Sequence, residues 1–187
     1  MGDPPFRIRR IPTADLTVAD LNRIRALVDA SFDRDDPEQQ FSEDDWDHAL
    51  GGLHLVLDLD GTPVSHASVV PRELHASGRT LHTGYVEAVA TLPELRDRGL
   101  GSATMTATNA HIREVYELGA LGTGRVSFYE RLGWERWRGP TAVRTTNGEE
   151  PTPDDDGYVF ILRTPATPPD LDLDGRLTCE WRPGDVW

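Results

Sequence analysis

The chain has 187 residues, 37% of them hydrophobic, which suits a folded domain with a real core rather than a disordered polyelectrolyte. Acids outnumber bases by 32 to 19, every base except histidine is an arginine, and the formal net charge of −13 repels nucleic-acid phosphates and attracts cations. A lone cysteine, Cys179, excludes an internal disulfide framework. No apolar stretch nears the ~20 residues of a membrane span, and "MGDPPFRIRR" lacks a secretory apolar core, so a soluble cytoplasmic protein is expected.

In chain order, "FRIRRIP" (6–12) alternates as a strand. Thr17 with Asp20 forms a capping-box pattern ahead of a helix whose face is Leu21, Ile24, Leu27, Val28 and Phe32. An acidic loop, "DRDDPEQQ" (33–40), follows, and Ser42 with Asp45 opens a second, short helix. From Leu53 the period becomes two. Asp60-Gly61 and Ser77-Gly78 are turn signals joining three strands in a meander. "SATMTATNAHIREVYELG" reads as a helix that Gly119 caps. "RVSFYERLGW" reads as a short helix, 139–157 as a long polar loop, and "YVFILR" as an apolar strand, before "RLTCEWRPGDVW" closes the chain. This order describes one mixed α/β sheet over residues 1–187, not a series of βαβ units.

The chemistry concentrates in "YVEAVATLPELRDRGLGSA" (85–103), a strand, then a glycine loop, then a helix start. Helix-initiating amides are unpaired and carry the positive end of the dipole, so they favour anions. Gly99 and Gly101 remove side-chain bulk beside those amides, and Arg96 and Arg98 add positive charge. Neither G-x-x-x-x-G-K-[ST] nor G-x-G-x-x-G is present; the pattern is R-x-x-G-x-G.

That pattern after a strand, with "FYERLGW" some thirty residues later, resembles the Gcn5-related N-acetyltransferases (GNAT). The resemblance implies the GNAT fold, a central mixed and mostly antiparallel sheet flanked by helices. It implies acetyl-CoA as cosubstrate, with Val89, Ala90 and Thr91 beside the thioester. Arg96, Asp97, Arg98, Gly99, Leu100 and Gly101 then hold the pyrophosphate, within a cofactor segment at about 89–101. "DWDHALGGLH", "GYVEAVA", "PTPDDDGYVF" and "EWRPGDVW", met in that order, resemble the aminoglycoside 2′-N-acetyltransferases in particular. This second resemblance spans nearly the whole chain. It implies a homodimer and substrate-side elements at 33–46 and 151–187, with Asp35, Glu87, Ala88, Gly122, Asp154, Asp155, Asp185 and Trp187 holding the aminoglycoside. Two departures are visible: the 33–40 loop is long, so Asp33 or Asp36 competes with Asp35, and Gly122 stands where relatives carry a serine.

Acetyl transfer from a thioester needs an amine relieved of its proton, a partner for the developing oxyanion and a leaving thiolate. Glu87, the one acid in an apolar run, is the candidate base, acting through water; the alternative is that it only anchors the cationic substrate. A backbone amide, that of Val89, is the candidate oxyanion donor. The GNAT resemblance places Tyr129 near the departing sulfur and so makes it the candidate proton donor to CoA, the alternative being a core aromatic. Trp187 is expected to offer a ring platform and a carboxylate to the sugar.

"DLDLDGRLTCE" mimics a calcium loop, but Glu180 falls one position short of the bidentate place, so Asp174-Gly175 reads as a hairpin turn and no metal is expected. His54 and His66 read as a structural cross-strand pair, and Cys179 as no nucleophile. Two rival functions share these features: an acetyltransferase for a cell-made amine, and a noncatalytic protein binding cationic antibiotics or CoA.

Overall fold

The structure, a computed structural model, describes residues 6–32 and 41–187. Its Cα packing divides the chain into two compact units, Met1–Val70 with Val86–Thr108, and Pro71–Tyr85 with Asn109–Trp187.

The first unit contains β1 (Phe6–Pro12), α1 (Val18–Ser31), α2 (Glu43–His48), β2 (Leu53–Leu59) and the first part of β3 (Thr62–Ala76). It also holds the end of β4 (Arg79–Thr91) and the start of α3 (Leu100–Val115). β1 pairs antiparallel with β2 from Phe6↔Leu59 to Pro12↔Leu53, and β2 pairs antiparallel with β3 from Leu53↔Val69 to Leu59↔Thr62. Both expected capping boxes are formed: Thr17 and Asp20 exchange hydrogen bonds at the start of α1, and Ser42 and Asp45 do so at α2. Arg9 of β1 reaches Asp20 Oδ1 at 3.0 Å, fastening that first turn to the sheet. Ile24, Leu27 and Val28 of α1 are buried with Val56, Ala88 and Ala90, so the small Ala88 and Ala90 side chains define how closely α1 lies on β4. The turn at Asp60-Gly61 has φ of +50° and +79°, the left-handed pair that a two-residue hairpin requires.

The second unit contains the remainder of β3, β4 and α3, followed by β5 (Leu118–Gly122), α4 (Val126–Glu130), β6 (Glu135–Arg136) and β7 (Thr141–Thr145). β8 (Gly148–Pro151), β9 (Val159–Arg163) and β10 (Leu177–Glu180) complete it. Its strands lie in the order β6-β9-β5-β4-β3-β10-β7-β8. The sheet is mixed: β4 pairs parallel with β5 over Thr83–Tyr85, β10 pairs parallel with β7, and β9 lies antiparallel to β5.

Three expectations change. Gly119 does not cap a helix; α3 ends at Val115 and Gly119 sits inside β5. There a Cβ would fall 2.9 Å from the Leu162 Cβ and 3.2 Å from the Trp134 ring, so the glycine serves close packing. The polar stretch 139–157 is not a loop throughout, because β7 and β8 pair as a hairpin from Ala142↔Pro151 to Thr145↔Gly148. Asp174-Gly175 turns without joining two strands. Instead it crosses Trp137–Gly139, with Trp137 Nε1 donating to Gly175 O at 2.9 Å and the amides of Arg138 and Gly139 both donating to Leu173 O at 2.9 Å. A Cβ on Gly139 would overlap the Gly175 carbonyl oxygen, and backbone cannot swing away as a side-chain tip does. Gly139→Ala is therefore expected to cost about 1–3 kcal/mol in chemical denaturation; an unchanged midpoint would contradict this close crossing.

Candidate active site

In the first unit, β4 ends as Glu87, Ala88, Val89, Ala90 and Thr91, and its burial alternates as the sequence suggests. Val86, Ala88 and Ala90 are buried, while Glu87, Val89 and Thr91 are half-buried. The strand is nevertheless irregular, because Ala88 has φ +49°, a left-handed conformation that costs an alanine about 1 kcal/mol or more. Side chains of β3 compensate by supplying donors to the strand carbonyls. Ser68 Oγ donates to Glu87 O at 3.3 Å, His66 Nδ1 lies 2.8 Å from Ala88 O, and Ser65 Oγ donates to Ala90 O at 2.9 Å.

Beyond β4, a 3₁₀ turn at Pro93–Leu95 leads into the loop. Asp97 and Gly99 adopt φ of +61° and +79°, and Gly99 O accepts the first helical bond of α3, from Ala103 N at 2.9 Å. Gly99 is thus the cap, and the amides that follow it, of Leu100, Gly101 and Ser102, are those an α-helix leaves without internal acceptors. A Cβ at Gly99 would meet nothing within 4 Å, so its backbone conformation rather than crowding calls for glycine. Arg96 is turned from the loop centre: its Nη2 donates to Ser31 O at 2.6 Å and its Nε to Thr91 O at 3.4 Å. Arg96 therefore ties the loop to the end of α1, while Arg98 is exposed. Asp35 lies outside the described residues.

The second unit gathers Gly122, Asp154, Asp155, Asp185 and Trp187. Asp154 and Asp155 belong to the 3₁₀ turn Pro153–Asp155. Burial pushes the Asp155 carboxyl up from its ordinary range, and the negative charge of Asp185 pushes it further. Asp155 therefore stands within reach of the charge of another acid named from sequence. Asp156, next along, accepts from the Thr141 amide at 2.7 Å and the Thr141 hydroxyl at 2.9 Å, which makes it a brace for the turn. The Trp187 ring is not the open platform expected: it is buried, and its Nε1 donates to Thr152 Oγ1 at 2.9 Å. It anchors the tail instead. A Cβ on Gly122 would stand 3.5 Å from the Trp187 carbonyl carbon and 3.7 Å from the Tyr85 hydroxyl, so a serine there would meet both.

Sequence reasoning missed what holds that tail. Arg72 lies over the Tyr85 ring at 4.5 Å, and its Nη2 donates to Val186 O at 2.9 Å and Glu180 O at 3.2 Å. Arg182 Nε donates to Asp185 O at 2.8 Å. On a strand near a turn, Arg72 reads as a solvated charge, and nothing local announces a partner over a hundred residues away.

Tyr129, on α4, is buried with Phe128 and Trp134 edge-on at 5.0 and 6.0 Å. Burial drives its phenol well above the usual tyrosine range, although Arg125 pulls the other way. The group stays protonated at neutral pH, so it has a hydrogen to donate and cannot serve as a base. Cys179 is buried on β10, and burial raises its thiol pKa, against a nucleophilic role. Among the described residues, no cluster of three or more His, Cys, Asp or Glu side chains has metal-holding geometry, and no helix is long and apolar enough to cross a membrane.

The glycine-capped helix after an irregular strand and the mixed sheet define the class: residues 13–137 match the acetyltransferase (GNAT) domain, and the chain belongs to that acetyltransferase family. It is 40% identical over 183 residues to an aminoglycoside 2′-N-acetyltransferase of Mycolicibacterium fortuitum, covering 96% of this chain and 91% of the relative. Two solved structures share the fold. The GNAT family N-acetyltransferase YhbS of Escherichia coli, in complex with CoA, is 18% identical with a TM-score of 0.66 over 96% of this chain and 93% of that one. A GNAT acetyltransferase of Brucella melitensis, in complex with acetyl-CoA, is 20% identical with a TM-score of 0.59 over 89% and 93%.

Proposed function

We propose that the chain transfers the acetyl group of acetyl-CoA to the 2′-amine of aminoglycosides. Residues 1–187 act as one catalytic domain, with the cofactor at 89–101 and substrate-side groups at 33–46 and 151–187. The amides after Gly99 receive the pyrophosphate, with Arg98 adding charge and Arg96 fixing the loop. The thioester lies along Val89, Ala90 and Thr91, the Val89 N–H receives the oxyanion, Glu87 takes the amine proton through water, and Tyr129 protonates the departing sulfur. A polycation is the natural complement of a chain with net charge −13. The product amide has lost a positive charge, which weakens binding to ribosomal RNA phosphates and would confer resistance. A cytoplasmic homodimer belongs to the same reading, on resemblance alone.

The observation that carries the substrate class is the half-buried Asp155, whose carboxyl is pushed up by burial and then by the charge of Asp185. An ammonium group placed beside Asp155 relieves both. The test is thiol release from acetyl-CoA with a 2′-amino aminoglycoside, its 2′-hydroxy counterpart and simple polyamines. Turnover with the first alone supports the reading; turnover with polyamines and not with aminoglycosides would replace it with a cell-made amine. Asp155→Asn is expected to raise the aminoglycoside KM about tenfold, the loss of one charged hydrogen bond, and to leave the acetyl-CoA KM unchanged. An unchanged aminoglycoside KM removes Asp155 from the site.

A further inference from the structure

His54 and His66 are both fully buried in the first unit, and they form a directed chain of hydrogen bonds. Thr13 Oγ1 lies 2.9 Å from His54 Nε2, His54 Nδ1 lies 2.9 Å from His66 Nε2, and His66 Nδ1 lies 2.8 Å from Ala88 O. A carbonyl oxygen only accepts, so His66 must carry a proton on Nδ1. With both rings neutral, as burial dictates, His66 Nε2 then accepts from His54 Nδ1, and His54 Nε2 accepts the Thr13 hydroxyl proton at 2.9 Å in preference to Gly52 O, which lies farther from that hydroxyl at 3.2 Å. Thr13 Oγ1 in turn receives the Gly51 and Gly52 amides at 3.0 and 3.2 Å. Each proton position follows from its neighbour, and both rings hold the same tautomer.

The far end of this chain is the left-handed residue Ala88. Its carbonyl and the Val89 N–H belong to one planar trans peptide, in which C=O and N–H point in opposite directions. Fixing the oxygen fixes the hydrogen. A donor on the oxygen also polarises the amide and strengthens its N–H as a donor.

We infer that His66, oriented by His54 and Thr13, is a positioning residue that aims the Val89 N–H at the acyl oxygen of the thioester. This rests on the acetyl-transfer reading for the role of Val89, but not for the hydrogen-bond chain. Ala88 stands at positive φ inside β4, and a buried side chain holds its peptide oxygen.

Two amide substitutions separate the chain's ends. In His66→Asn the side-chain nitrogen falls near the Nδ1 position and keeps the bond to Ala88 O. In His66→Gln the amide oxygen falls near Nε2, accepts from His54 Nδ1 as that ring nitrogen did, and leaves Ala88 O unheld. His66→Gln is expected to lose about 10–100-fold in kcat, short of the ~10²–10³ of deleting an oxyanion donor outright. Its acetyl-CoA KM should stay within about twofold, and His66→Asn should recover kcat to within about threefold of wild type. Equal losses in the two variants, or full kcat in His66→Gln, would overturn the inference. Two measurements need no turnover. Imidazole ¹⁵N spectra of the wild type are expected to show the proton on Nδ1 of both rings, and a proton on Nε2 of His66 refutes the chain. The Val89 amide is expected to exchange faster with solvent in His66→Gln but not in His66→Asn. If the wild type acetylates no amine, the acetyl-transfer reading falls, while the tautomers and the Val89 amide still decide whether His66 holds that peptide.

Discussion

Glu87→Gln is expected to lower kcat about 10²–10⁴-fold, the range for a positioned general base, with little change in the acetyl-CoA KM. Glu87 is half-buried at the irregular end of β4, on the side opposite the buried Val86 and Ala88, and its own carbonyl is held by Ser68 Oγ. An amide of the same shape keeps the packing and loses the basic oxygen, so the loss reports proton removal rather than collapse. An aminoglycoside ammonium must shed a proton before it attacks. If Glu87 is the acceptor, raising the pH should recover part of the rate in Glu87→Gln, because more of the amine arrives neutral. If it is only an anchor for cationic substrate, the aminoglycoside KM rises instead and kcat holds. Thiol release followed from pH 6 to 9 in wild type and variant separates the two.

Local signals carried several helix starts and turns. The pairs Thr17 with Asp20 and Ser42 with Asp45 specified their helix starts because a capping box is written within four residues. Asp60-Gly61 and Ser77-Gly78 specified their turns because few residue pairs accept positive φ twice. β5 was hidden: "LGALG" has no β-branched residue and reads as the tail of the helix before it, yet its burial against β9 makes it a central strand. The hairpin of β7 and β8 reads as a loop in the sequence because β8 is wholly exposed and so shows no hydrophobic alternation. At the site, Glu87 was legible as an acid in an apolar run, and the cofactor loop as glycines at a helix start. The left-handed Ala88 was not, since alanine carries no mark of that conformation. The pairing of His54 with His66 was legible across two strands and is formed, but the role of His66 was not, because Thr13 and Ala88 join the pair only through strand register. Trp187 was legible as a tail landmark but not as a buried anchor, which depends on Thr152.

Buried His66, which holds Ala88, and its neighbour His54 are expected to make the protein acid-sensitive. Burial lowers His54 from 6.5 to about 4, and burial with the neighbouring ring lowers His66 to about 3. Between pH 6.5 and 4 the unfolded chain binds protons at both sites and the folded chain does not, so stability rises with pH across this window and is lost as pH falls. Asp155 has the opposite sign, since its raised folded pKa favours the folded state at low pH, but it is one half-buried carboxyl against two buried rings. The pairing of Asp20, whose carboxyl is lowered by Thr17 and then Arg9, weakens only near and below its ordinary value of 3.8. Going from pH 7 to pH 5, the unfolding free energy is expected to fall by about 2–4 kcal/mol, measured by denaturant titration at each pH. Exchanging both rings for non-titrating amides, His54→Gln with His66→Asn, removes the proton-binding difference and should flatten that slope even if overall stability drops. A wild-type profile already flat between pH 7 and 5 would mean that the folded protein accepts charge on these rings. The neutral chain ending at Ala88 would then give way as pH falls through the ordinary value of 6.5 rather than persist toward 4.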